Sequence, residues 1–250
     1  MTSRPFLTAT WRHLAMLNYE VPSEVLRPLV PAGTELDAWH GSTLASIVGF
    51  RFLGTRVLGI PVPGHRDFDE INLRFYVRRR AEDGLWRRGV VFVRELVPRR
   101  AIAAMARWVY NEPYAAVPMR HHIDMDKAGE GRAGRAAYAW RWAEQWHQLE
   151  VRTAGLPVVP DATSEAAFIT EHYWGYTVQR RGGCKEYRVA HPPWRVWATA
   201  GARFECDVKS MYGAGFAECL SGQPRSAYLA EGSAVIVYPG RRLEPGVRPS

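Results

Sequence analysis

Lysine is almost missing from this chain: three residues, Lys127, Lys185 and Lys209, stand against thirty arginines. Chemistry that needs a desolvated primary amine therefore has few places to occur, and arginine cannot replace it because the guanidinium stays protonated. Cysteine is equally scarce. Cys184, Cys206 and Cys219 are odd in number and form no Cys-x-x-Cys pair, which argues against a disulfide framework and a zinc clamp. No uninterrupted apolar run approaches the roughly 18 residues of a membrane-spanning helix, and Met1 to Trp11 lacks the apolar centre of a secretory leader. A cytoplasmic protein with no membrane partner is expected. There is no Gly-x-Gly-x-x-Gly after a strand, no phosphate loop, no Gly-x-Ser-x-Gly elbow and no internal repeat. Nucleotide cofactors and serine-hydrolase chemistry lose their usual support, and no cofactor is expected.

What is present suits one β-rich domain. The 250 residues are 47% hydrophobic, enough for a sizeable single core, and one domain is predicted over residues 1–239. The Gly/Pro/Arg-rich stretch 240–250 is too polar to add core and reads as a flexible tail. The net charge of +8 would suggest nucleic acid if the cations were clustered. They are instead spread through every predicted element, and Arg78 to Arg80 and Arg180-Arg181 fall where strands run into turns, so nucleic acid is not an expected partner.

Strand periodicity dominates. Ile71, Leu73, Phe75 and Val77 alternate with Asn72, Arg74, Tyr76 and Arg78, the period of two that sends alternate side chains to opposite faces. Trp86 to Val97 is apolar on both parities and predicts a strand covered on both sides. Further strands are predicted over Ala9–Val21, Leu44–Arg56, Ala116–Asp124, Ala133–Ala143, Gln145–Thr153, Tyr173–Gln179, Lys185–Val189, Arg195–Val208 and Ser233–Tyr238. Helices are few: Pro22–Leu29, Pro98–Val109 with Ile102, Met105, Ala106 and Val109 on one stripe, and Ser164–Thr170 behind a capping residue. So many short-spaced strands imply a sandwich or a closed barrel, of α+β class and mainly antiparallel.

Three polar constellations interrupt the apolar elements. Glu70, Asn72 and Arg74 share one strand face and either line a ligand pocket or form a solvated sheet edge. Arg94 and Glu95 sit inside an apolar strand and point to opposite faces, so at least one must find a partner, since buried charge is costly unless paired. Glu171 and His191 would meet at one rim if the segments flanking Gly182-Gly183 form a hairpin, giving an acid/base pair. A structural, hydrogen-bonded histidine is the competing reading. His121 and His122 point to opposite faces of a strand and cannot easily ligate together, so no metal is expected. Ten tryptophans and eleven tyrosines suit a core and equally a homo-oligomer interface.

Asn18-Tyr19-Glu20-Val21-Pro22, Glu70 to Val77, Asn111-Glu112-Pro113-Tyr114 and His191-Pro192-Pro193-Trp194, in that order, resemble the YqjF-like family of uncharacterised conserved proteins, over about residues 10 to 238. That family is similar to acetoacetate decarboxylase, which implies an antiparallel β-barrel with a few flanking helices and an interior site. The resemblance places Tyr114 where the decarboxylases carry their Schiff-base lysine, and Glu70 where they carry an acidic residue. It therefore implies a retained pocket with changed chemistry. The expected site comprises Glu70, Glu171 and His191 as proton-moving groups and Arg74, Arg94, Arg107 and Tyr114 as contacts to a small carboxylate or carbonyl compound. A non-catalytic ligand-binding or regulatory protein using the same pocket is the alternative.

Overall fold

The computed structural model describes residues 4–102, 104, 111–125, 132–179 and 182–243. Arg107, Lys127, Arg180-Arg181 and all but the first turn of the helix predicted over Pro98–Val109 lie outside them.

Seventeen strands are present among the described residues. The first nine are β1 (Leu7–Glu20), β2 (Glu35–Leu36), β3 (Ala38–Trp39), β4 (Ser42–Val57), β5 (Ile60–Pro61), β6 (Phe68–Arg80), β7 (Trp86–Val97), β8 (Tyr114–Ala116) and β9 (Met119–Asp124). The rest are β10 (Arg135–Trp142), β11 (Gln145–Val158), β12 (Trp174–Val178), β13 (Cys184–Ala190), β14 (Val196–Glu205), β15 (Ser226–Ala230), β16 (Ala234–Val237) and β17 (Arg241–Leu243). β17 pairs with β13, so the segment read as a tail contributes a strand before residue 244.

Seven strands close a ring. β1 pairs with β4, β4 with β6, β6 with β7, β7 with β12, β12 with β13, β13 with β16, and β16 returns to β1. Every junction is antiparallel except β7–β12, which is parallel and joins Gly89 and Val90 to Trp174 and Gly175. Closure leaves the ring without unpaired edges. A second sheet leaves the barrel through β1: its first residues pair with β16, whereas Leu14 to Asn18 pair with β15. The change of partner occurs at an irregularity between Arg12 and Ala15, where His13 has φ 55°. β15, β14, β11, β10 and β9 then continue in order.

These two layers explain why β6 is buried on both faces. Ile71, Leu73, Phe75 and Val77 pack outward into the core between barrel and outer sheet, with Tyr138, Trp140 and Leu149. The other parity faces the barrel interior, where Phe68 and Tyr76 join Leu14, Val48, Phe50 and Phe168. The polar parity of the strand is thus the interior one.

The helices that lie wholly among the described residues are short: Ser23–Leu26, continued by a 3-10 turn Arg27–Leu29, then Glu165–Thr170, whose Phe168 and Ile169 pack with the interior cluster, Val208–Tyr212 and Ala214–Leu220. The strand predicted to run to Val208 stops at Glu205, because Asp207 accepts a hydrogen bond from the Ser210 amide and caps the next helix. Among the described residues no helix is long and apolar enough to cross a membrane.

Barrel closure depends on a missing side chain. A Cβ at Gly89 would lie 2.5 Å from the Trp174 carbonyl oxygen and 2.7 Å from the Tyr176 ring. Gly89→Ala is expected to push β7 and β12 apart and cost about 2 kcal/mol or more, as overpacking does; urea unfolding measures it, and an unchanged midpoint would contradict this account of the seam.

Candidate functional site

The barrel encloses a cavity of about 270 Å³, near the lower bound of roughly 300 Å³ for small-molecule sites. Much of its wall is aromatic. Trp11 meets Phe50 edge-on at 5.1 Å, Phe52 stacks on Phe68 at 4.6 Å, and Trp194 completes the group. Polar side chains gather on strands β6, β7 and β8 and the turn before β8.

Strict alternation on β6 brings Glu70, Asn72 and Arg74 inside, all at least nine-tenths buried. Asn72 Nδ2 donates to Glu70 Oε1 at 3.0 Å, and the Tyr114 hydroxyl donates to Glu70 Oε2 at 3.0 Å. β7 reaches the cavity differently. Val90 and Phe92 face inward, and simple alternation would put Arg94 inside as well. The β6–β7 register instead slips between Leu73, opposite Arg94, and Arg74, opposite Phe92, leaving Val93 as an extra residue. A one-residue bulge exchanges the faces of all that follows, so Glu95 enters the cavity at 1% exposure while Arg94 turns outward, its guanidinium 4.8 Å from the Trp142 ring centre. The expectation that Arg94 contacts ligand is corrected by this bulge.

Asn111 begins the turn that delivers the third carboxylate. It holds φ 60°, a conformation asparagine tolerates, and its Nδ2 donates to the Val178 carbonyl at 2.8 Å. Glu112 then points inward and accepts from the Tyr187 hydroxyl. Tyr187 fits because its neighbour is Gly175; a Cβ there would overlap the Tyr187 ring.

Three buried carboxyls lining one cavity cannot all ionise readily. Burial raises Glu70 to about 7, against the pull of Asn72, Tyr114 and Arg74. Burial likewise raises Glu112 to about 7, with Tyr187 opposing and Glu70 adding to the rise. Glu95 is pushed well above the carboxylate range by burial, then by Glu112 and Glu70. Arg74 is the cation of this group. Its Nε has no hydrogen-bond partner, and neither do Asn72 Oδ1 and Glu95 Oε2. Unpaired buried polar atoms around an open volume are what a polar ligand would satisfy.

Of the residues expected from sequence, Glu70, Arg74, Tyr114 and His191 line the cavity. Glu171 does not: it accepts from the Tyr173 hydroxyl. His191 stacks on Trp194 at 4.0 Å, lies 4.7 Å from the Tyr173 ring, and donates from Nδ1 to the Pro192 carbonyl at 2.9 Å. Tyr173 and Pro192 therefore hold the two groups expected to form an acid/base pair. Burial lowers His191 to about 4, so its ring is neutral near pH 7. Lys185 and Lys209 are not among the lining residues. Asn72 lines the cavity beside Glu70 and Arg74, the pocket reading of that strand face, whereas Glu95, Glu112, His172 and Tyr187 line it without having been expected there. Glu95 carried a signal, a carboxylate in a two-faced apolar strand; His172 and Tyr187 carried none beyond their aromatic surroundings.

Comparison with known proteins places this geometry. Residues 8–234 match the family model DUF2071, described as an uncharacterized conserved protein. The chain is similar to the uncharacterized protein YqjF of Bacillus subtilis (strain 168), 26% identical over 242 residues that cover 93% of this chain and 90% of the relative. Acetoacetate decarboxylase from Legionella pneumophila superposes with a TM-score of 0.65 at 12% identity, covering 96% of this chain and 87% of the other. The enduracididine biosynthesis enzyme MppR, complexed with the condensation product of pyruvate and imidazole 4-carboxaldehyde, gives 0.67 at 15% identity, with 99% and 92% covered. At these identities the structural likeness is one of fold, and the fold is acetoacetate-decarboxylase-like.

Proposed function

We propose, from the premise that this chain belongs to the DUF2071 family of uncharacterized conserved proteins, that its barrel cavity binds a small carboxylate- or carbonyl-containing molecule and performs acid/base chemistry on it without a Schiff-base lysine. The observation that carries this reading is Arg74: a guanidinium buried in an otherwise acid-rich, aromatic cavity, with its Nε unpartnered. A ligand carboxylate or carbonyl oxygen supplies the missing acceptor, and hydrogen bonds to charged groups contribute about 1.5–3 kcal/mol each. The ligand's apolar body would rest on Trp11, Phe52 and Phe68. Glu70 and Glu112, both at about 7, populate acid and base forms together at neutral pH, the condition under which a carboxyl group moves protons most effectively. That MppR has been seen with pyruvate makes 2-oxo acids the first compounds to try.

Calorimetric titration with pyruvate, 2-oxobutyrate and acetate tests the reading. Binding is expected, weakened at least tenfold by Arg74→Ala. Failure of all three to bind, or equal affinity in the variant, overturns it. A non-catalytic sensor is the second reading, favoured by the separate engagement of Glu171 and His191 by Tyr173 and Pro192. It predicts the same loss in Arg74→Ala with the ligand recovered unchanged.

A further inference from the structure

We infer that Asp37 and His172 form a base dyad that withdraws a proton from the carbon next to the ligand's carbonyl, with Asp37 the positioning residue and His172 Nδ1 the acceptor. This rests on the reading of the cavity above and adds the step it catalyses. The His172 side chain is 1% exposed, its ring fixed 4.6 Å from Tyr76 and 5.1 Å from Phe168. Nε2 meets Asp37 Oδ2 at 3.1 Å, and Arg88 Nε donates to the same oxygen at 2.7 Å. Arg88 and His172 hold the Asp37 carboxyl below its usual range despite burial, so the carboxylate accepts and Nε2 carries the proton. The other nitrogen, Nδ1, then presents a lone pair. It is buried without any partner, and His172 lines the cavity. Orientation of one imidazole nitrogen by a carboxylate is how proteins fix the tautomer and aim the other nitrogen at a reacting proton. Burial keeps the free imidazole neutral, its pKa lowered to about 4, so the Nδ1 lone pair is unoccupied near pH 7.

The step balances within the cavity. The ligand's Cα–H bond breaks and its proton passes to Nδ1. The electron pair becomes a carbon–carbon double bond to the carbonyl carbon. The carbonyl oxygen takes a proton from Glu95, which burial and its acidic neighbours keep protonated. An enol, an imidazolium and a carboxylate result, and the reverse step regenerates both protein groups. In deuterium oxide the returning atom is deuterium.

Proton NMR of pyruvate in deuterium oxide, alongside calorimetry, reads the step. Wild-type protein is expected to bind pyruvate and exchange its methyl protons above the buffer rate. His172→Gln is expected to bind within about threefold of wild type but to exchange at least 100-fold more slowly. Asp37→Asn, which leaves the imidazole in place and frees its tautomer, is expected to lose at least tenfold in exchange with binding retained; it stands in if His172→Gln does not fold. Wild type that binds without exchanging, or variants that exchange as fast as wild type, overturns the dyad and leaves the binding site intact. Absence of pyruvate binding overturns the cavity reading and the dyad with it.

Discussion

Glu186→Gln is expected to lower the unfolding free energy by about 3 kcal/mol, the scale on which breaking a buried ion pair from one side destabilises. The Glu186 side chain is fully buried. Oε1 accepts from Arg79 and the Tyr176 hydroxyl, both at 3.2 Å; Oε2 accepts from Arg87 at 2.7 Å and Arg241 at 2.9 Å. One carboxylate on β13 therefore ties together β6, β7, β12 and β17 at the place where the ring closes. Glutamine keeps the shape and removes the charge, leaving Arg79 and Arg87, both mostly buried, without their shared counterion. Arg241, half exposed, supplies the control: Arg241→Ala should cost under about 1 kcal/mol, because solvent screens it. Urea unfolding of both variants checks the pair, and a loss below 1 kcal/mol for Glu186→Gln would show the cage to be dispensable.

Glu95→Gln is expected to do the opposite, and to do so only above acidic pH. The carboxyl is raised well above its ordinary 4.5 by burial and by Glu112 and Glu70. A group whose folded pKa is raised contributes stability that is complete below its unfolded pKa and declines as pH rises towards the folded value. Glutamine mimics the protonated form and has nothing to lose in that window. Variant and wild type should therefore match near pH 4.5, with the variant gaining stability over wild type steadily from there upward. Comparing the two proteins at each pH cancels the opposite trend from His172 and His191, whose lowered values make wild type less stable as pH falls from 6.5 towards 4. A pH-independent difference would mean that Glu95 ionises freely in the folded protein.

The sequence made strands legible where a period of two survives, and β6 shows both the reach and the limit of that signal. Its alternation is plain, but which parity faces a ligand is not, because an outer sheet covers the apolar side and a barrel covers the polar one. Glu70, Arg74 and Tyr114 could be placed by alternation or resemblance. Arg94 could not, since Val93 carries no mark of the bulge that reverses the strand. Asp37 lies beside two strands of two residues each, too short to show a period, and its partner His172 stands far along the chain. The helices Val208–Tyr212 and Ala214–Leu220 meet at Gly213, with φ 94°, and neither is long enough to show a stripe.

The parallel seam between β7 and β12 also bears on the order of assembly expected for the chain. Strands β4, β6 and β7 follow one another through short connections and can pair early, whereas Asp37 and His172 are separated by 135 residues and Arg79 and Glu186 by 107. Contacts so distant in sequence repay their loop-closure entropy only once most of the chain is ordered, which slows folding. Until β12 arrives, β7 is an open edge beside an uncovered aromatic wall, the combination that invites pairing with another chain. The interior that would hold a ligand is therefore expected to close late, and the interval before it closes is when a nascent or refolding chain should be most exposed to aggregation.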